Sequence, residues 1–367
     1  MTDARIKKLA DLLVHYSVDV QPEEWVWISG HMIAEPLVNE VMRAVLEAGG
    51  RPTVHLTSDD LDETRLLYAN QDQLEWIAPT TRTIYEEVDC LIRLRATENT
   101  RSLSGIEPQK QQTRKKARRD LTATYLKRSA EGELKWVLTQ YPCSAYAQEA
   151  DMSLQDYENF VYNATFVDQE DPIQAWQDVH KKQQKVVDWL EGKNEVSVKS
   201  PNVDLTLSIE GRTFINSDGK NNMPSGEVFT GPVEDSANGW VEFTYPAISD
   251  GREVSGVRLE FKEGKVVQAS AKKNEAYLLS QLDTDEGSRY LGEFAIGTNY
   301  GIQQFTKSIL YDEKIGGSFH MAVGAGYPET GSKNKSSIHW DFICDIKEDS
   351  EIRVDDELLY KDGKFQI

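Results

Sequence analysis

The period of the hydrophobic pattern changes once along this chain, near residue 195, and the change separates two kinds of architecture. Before it, short apolar runs alternate with helical stretches. Trp25-Val26-Trp27-Ile28-Ser29-Gly30 reads as a buried strand ending on glycine. Ile6, Leu9, Leu12 and Leu13 keep helical spacing ahead of it. Leu37, Val41, Ala44 and Val45 form a second stripe behind it, stopped by Gly49-Gly50. Further strands are expected at 53–56, 88–94 and 136–139, and helices at 61–68, 80–87 and 173–190. Strands separated by helices require crossover connections, so this half should carry a mainly parallel sheet. After residue 195, Val203–Ile209 and Val257–Lys262 alternate apolar and polar side chains, and Glu263-Gly264-Lys265 supplies a hairpin turn. Ile352–Val354 and Leu358–Tyr360 flank the acidic turn Asp355-Asp356 in the same way. Period-2 alternation means half-buried antiparallel strands. The expected fold is an α/β N-terminal domain at 1–194 and a mainly antiparallel β domain at 195–367.

Composition narrows the function. Of 367 residues, 39% are hydrophobic, enough for two cores. Asp and Glu number 61 against 41 Lys and Arg, a formal net charge of −20. Nucleic acid and anionic membrane need a basic face, so neither is expected as a partner. The basic run Arg114-Lys115-Lys116-Ala117-Arg118-Arg119 reads as a solvated helix face or a subunit contact. No stretch approaches the ~18 apolar residues of a spanning helix. The opening Met1-Thr2-Asp3-Ala4-Arg5-Ile6 lacks an apolar signal core. Cys90, Cys143 and Cys344 are too scattered for a disulfide framework or a thiolate zinc site. A cytoplasmic chain is expected. No GxGxxG follows the first strand, so no dinucleotide site is assigned.

The chemistry concentrates in the β half. His15, His31, His55 and His180 stand singly before residue 195 and suit surface or packing roles. In His339-Trp340-Asp341 an extended strand would turn the imidazole and the carboxylate to one side and Trp340 to the other. His320 lies in the small-residue strand Gly316–Gly324, with Tyr327 in the glycine-rich loop beyond. Glu227 and Glu293 each follow a glycine and open an apolar run. A carboxylate so placed is costly unless it meets a cation. Two Glu, two His and one Asp without a cysteine suit a pair of divalent ions sharing one carboxylate. Such a pair acidifies a shared water and polarises a scissile carbonyl. Glu227, opening its strand, is the expected bridge.

These segments resemble the aminopeptidase T/aminopeptidase S family of metal-dependent exopeptidases. The likeness runs through Met223–Ser236, Leu291–Asn299, Asp312–His320, Gly326–Gly331 and Lys333–Asp341, and is looser but colinear in the α/β half. It implies a homodimer with two divalent metal ions per subunit, of zinc, cobalt, manganese or magnesium. It carries the ligand positions onto Glu227, Glu293, His320, His339 and Asp341, and a substrate contact onto Tyr327. Glu313 also matches a family position, as ligand, general base or structural partner. Glu293 or Glu313 would shuttle the proton to the leaving amine. The implied substrates are peptides with a free N-terminus. Another dimetal amide hydrolase, such as a dipeptidase or amidohydrolase, fits the same residues. So does a non-catalytic ligand-binding protein built on the α/β half.

Overall fold

Four strands, Trp25–His31 (β1), Arg51–Thr57 (β2), Cys90–Arg95 (β3) and Lys135–Gln140 (β4), pair in parallel in the order β2-β1-β3-β4. Helices link them, as parallel pairing demands. Val26 and Ile28 of β1, and Cys90 and Ile92 of β3, are fully buried, whereas the edge strand β2 is largely exposed. The computed structural model describes residues 3–249 and 251–367, so Met1 and Thr2 of the opening run lie outside the described residues. No helix is long and apolar enough to cross a membrane among the described residues. The basic run falls on the helices Pro108–Ala117 and Arg119–Ala130. Arg114 there donates to Leu74 O and Trp76 O at 3.1 and 2.8 Å, and Arg118 donates to the Tyr85 hydroxyl.

The chain divides into two compact units, Met1–Ile173 with Gly219–Pro224, and Gln174–Asp218 with Ser225–Ile367. The division therefore differs from the 194/195 boundary expected from the change of period. Helix Pro172–Leu190 goes almost wholly with the second unit, because Val186 and Leu190 join its core. Gln183 ties the same helix to the Asn216 and Ser217 segment and receives the Thr298 hydroxyl at 2.6 Å. His180, on that helix, lies 2.8 Å from Asp218, so it belongs with the β unit and not with the α/β one. Conversely, Asn222–Met223 pairs in parallel with β4 and completes the first unit's sheet.

The second unit is mainly antiparallel. An eight-stranded sheet runs from Lys265–Ser270 at one edge to Lys364–Phe365 at the other. The other large sheet contains Ile215–Ser217 (β5), Glu227–Thr230 (β6), Leu291–Gly297 (β7), Ser318–Gly324 (β8) and Asp345-ended His339–Asp345 (β9). Its order is β9-β8-β7-β6-β5, every pair antiparallel. The two sheets share one core. Val228, Phe294, Ile296, Phe319, Met321, Val323, Trp340 and Phe342 pack with Val198, Leu205, Val241, Leu259 and Ile352 of the larger sheet. Because strand side chains alternate, the residues between these turn to the opposite face. That face carries the chemistry.

Candidate metal centre

Four neighbouring strands each contribute to one cluster on the face turned from the core. Glu227 comes from β6, Glu293 from β7, His320 from β8, and His339 and Asp341 from β9. His320 Nε2 lies 3.5 Å from Glu227 Oε2 and 3.7 Å from Glu293 Oε1. His339 Nε2 lies 3.3 Å from Glu293 Oε2 and 3.4 Å from Asp341 Oδ1. Each oxygen of Glu293 therefore faces a different imidazole. The donor groups Glu227–Glu293–His320 and Glu293–His339–Asp341 share that residue, with all donor atoms of each group within 4.8 Å of one another. All five residues expected as ligands come together; Glu293 faces both imidazoles, and Glu227 faces His320.

Two glycines make this possible. A Cβ on Gly226 would stand 2.7 Å from Asn299 Cβ, and Gly226 has a φ of +115°. A Cβ on Gly292 would meet Ala325 O at 2.2 Å. The Gly-Glu pairs noted in the sequence are thus places where another segment presses on the backbone just before an inward carboxylate. The same Ala325 carbonyl accepts a 2.7 Å hydrogen bond from His339 Nδ1. That bond fixes the tautomer and leaves Nε2 as the donor aimed into the cluster.

The cluster is buried and its electrostatics are one-sided. Glu227 and Glu293 are each 5% exposed and His320 is 1% exposed, so their charges must be met inside. Burial opposes charge on His320, but Glu293, Glu227 and Glu313 outweigh it and lift the imidazole to about 9. Burial likewise opposes charge on His339, and Asp341 with Glu293 carries it to about 12. Glu293 and Asp341 would rise through burial, yet the facing imidazoles hold both below the ordinary carboxylate range. The cage is short of positive charge. Glu227 Oε2 and Asp341 Oδ1 face imidazole nitrogens at 3.5 and 3.4 Å yet accept no hydrogen bond. Buried oxygens left without a hydrogen bond, in a cluster of oxygen and nitrogen donors only, fit divalent cations.

Glu313 forms a third donor group with His320 and Asp341. Burial first, then Glu227 and Asp341, push its carboxyl to about 7 against the pull of Lys314. Lys314 is fully buried, pairs with Glu313 and stands 3.7 Å from Glu227 Oε1. The carboxylates around it raise its pKa despite burial. Sequence reasoning passed over this lysine, although it adjoins Glu313 ahead of a glycine-rich apolar strand. Tyr327 places its ring 5.4 Å from those of both His339 and Phe229 and is 41% exposed, so it stands at the mouth.

A buried oxygen–nitrogen cage of this kind, on one face of a sandwich sheet, is the site of a metal-dependent hydrolase. Residues 2–365 match the sequence profile of the thermophilic metalloprotease (M29) family, and the chain belongs to that family. It is therefore a metallopeptidase. Among its relatives, Aminopeptidase 2 of Geobacillus stearothermophilus is 26% identical, across 99% of this chain and 95% of the relative. Aminopeptidase AmpS of Bacillus subtilis is 25% identical, across 94% and 93%. The solved structure of wild-type AmpT from Thermus thermophilus superposes with a TM-score of 0.86 at 22% identity, covering 99% of each chain, and shares the fold.

Proposed function

We propose that this chain releases the N-terminal residue of peptides at a pair of divalent cations held by Glu227, Glu293, His320, His339 and Asp341. The observation that carries this reading is the position of Glu293, one oxygen toward each histidine. Glu293 would serve both ions, with Glu227 and His320 completing one site and His339 and Asp341 the other. With Lys314 cancelling Glu313, the three remaining carboxylates leave a charge of −3 to meet two divalent ions. Zinc, cobalt, manganese and magnesium all accept these donors.

Divalent cations held by these residues would supply an acidified water and a polarised first carbonyl of the peptide. The chain's own groups do the rest. Glu313, near neutrality and outside that ligand set, takes a proton on its carboxylate and hands it to the leaving amine. The need for a free amine separates this reading from an amidohydrolase acting on blocked amines. Tyr327, at the mouth, is the contact for the bound end. The homodimer implied by the family likeness belongs to this reading, and sedimentation of the purified chain checks it.

Metal analysis and hydrolysis of a free-amine chromogenic amide, beside its N-acylated form, test the proposal on wild type and His339→Ala. About two metals per chain are expected, with activity on the free amine alone. The variant should lose metal and at least ~100-fold in kcat/KM, since even residues behind the ligands cost 10–100-fold. Full metal and full activity in His339→Ala would sink the assignment.

A further inference from the structure

Asp341 does more than face His339: it also forms part of the wall of a cavity of about 140 Å³. Ile343, two residues along β9 on the same face, continues that wall away from the cage. Pro246, Ala247, Ile248, Phe305 and Ile309 supply the remaining apolar lining. Phe305 is held by stacking on Tyr245, ring centroids 5.3 Å apart and nearly parallel at 14°. Ala247 and Ile343 are 4% and 3% exposed and form the inner end, whereas Ile248 and Ile309, at 36% and 48%, stand at the opening. A cavity of about 150 Å³ lined by aliphatic and aromatic groups takes a benzene ring. The space therefore matches one leucine or phenylalanine side chain.

The polar members of the lining set its selectivity. Asp312 is already engaged, accepting from Thr306 N at 2.7 Å and from the Thr306 hydroxyl at 2.8 Å. Its carboxylate is committed to the loop and is not presented to an incoming cation. Lys307 adds a positive charge to the wall. A basic side chain entering here would lose its water among apolar groups beside an acid that is already engaged.

We propose that this cavity receives the first side chain of the substrate and selects leucine, methionine or phenylalanine over alanine and over lysine. The inference rests on the reading above, in which the N-terminus binds at the cage that Asp341 helps to form. Because Asp341 belongs both to the cage and to the cavity wall, a residue whose first carbonyl meets the cage has this cavity beside it to receive its side chain.

The test is kcat/KM of the metal-loaded wild type on chromogenic amides of leucine, phenylalanine, alanine and lysine, repeated on two variants. Wild type should favour leucine and phenylalanine over alanine by about tenfold or more, since a missing methylene costs 10–200-fold in an apolar pocket. Ala247→Leu fills the inner end and should cut the leucine-to-alanine ratio by at least about tenfold. Ile248→Ala removes a partly exposed side chain, which spares the fold, and should cut the same ratio several-fold. A ratio preserved in both, or an equal fall for all four substrates, overturns the proposal. Calorimetric titration with L-leucine and L-alanine reads the cavity without turnover, and tighter leucine binding abolished by Ala247→Leu is expected. Selective leucine binding by a chain that hydrolyses nothing would keep the cavity and remove the peptidase reading. Hydrolysis of leucine and alanine amides at equal rates would do the reverse.

Discussion

Lys314 is a lysine with no solvent exposure, held among carboxylates that themselves lie in the cage. Taking away one partner of a buried ion pair strands the other, at a cost of about 3 kcal/mol or more. Lys314→Met should therefore lower the unfolding temperature of the chelated protein. Added divalent metal should recover more stability in the variant than in wild type, because the ions then also neutralise Glu227 and Glu313. Thermal unfolding with and without chelator reads both effects, and an equal metal-induced rise in the two proteins contradicts the argument. Gly292 makes a second case. A methyl group there meets the carbonyl that orients His339, so Gly292→Ala should move Glu293 and His339 together. Metal affinity should fall about 10–100-fold with far-UV dichroism retained; unaltered affinity in a titration would show that the strand yields elsewhere. These residues also mark the limit of what sequence conveys. Five donors were legible because His, Glu and Asp beside glycines in apolar strands have few other uses. Lys314 was not, since lysine is ordinarily a surface residue. That Glu293 and not Glu227 lies between the imidazoles depends on a register irregularity between Leu291 and Glu293, which no residue type announces.

At the scale of elements, periodicity served well wherever an element buries one face. The parallel strands, the helices between the first three of them and the hairpin about Glu263-Gly264 fall where the pattern put them, whereas the helices Pro108–Ala117 and Arg119–Ala130 left no apolar stripe to read. Helix Pro172–Leu190 shows what periodicity omits: an apolar stripe says that a face is buried, not which core receives it. The two-residue strand Asn222–Met223 is too short to leave any pattern. In the first unit, Glu24 ties the beginnings of three parallel strands. Its Oε2 accepts from Gln21 N and Lys135 Nζ, both at 2.8 Å, and from Cys90 Sγ at 3.4 Å. Burial would raise this carboxyl, but those donors outweigh it and hold it below its usual value of 4.5. A carboxyl depressed in the folded state stabilises above its unfolded pKa, and that stability is lost as pH falls through the folded value. Glu24→Gln should accordingly cost about 1–2 kcal/mol at pH 7, and the difference from wild type should shrink below pH ~4. Urea midpoints at pH 7 and pH 3.5 check this; a difference that is constant with pH would assign the cost to packing instead.

For the whole molecule, the decisive property is that the donors belong to one unit and come from strands far apart in sequence. Glu227 and Asp341 bracket most of the second unit's chain, so cations held as proposed would cross-link β6, β7, β8 and β9 in the folded state alone. Binding that favours only the folded form stabilises what it ties, by an amount that grows with metal concentration. A formal charge of −20 adds to this, because the acidic cage without its ions is repelled by the rest of the chain. The first unit contributes none of the five donors and has hydrophobic clusters of its own, such as Leu91, Tyr125 and Leu134 beside Ile84 and Val88. Its local stability should not follow metal. Hydrogen exchange before and after chelation distinguishes the two, since protection reports local opening unit by unit. Amides of 227–230, 291–297, 318–324 and 339–345 should exchange about tenfold or more faster in the chelated protein, while those of 25–31, 90–95 and 135–140 keep their rates. Restoring zinc or manganese should slow the first set again. Equal acceleration in both sets would mean that chelation loosens the chain as a whole, and no acceleration in the four site strands would mean that they were never joined through a metal.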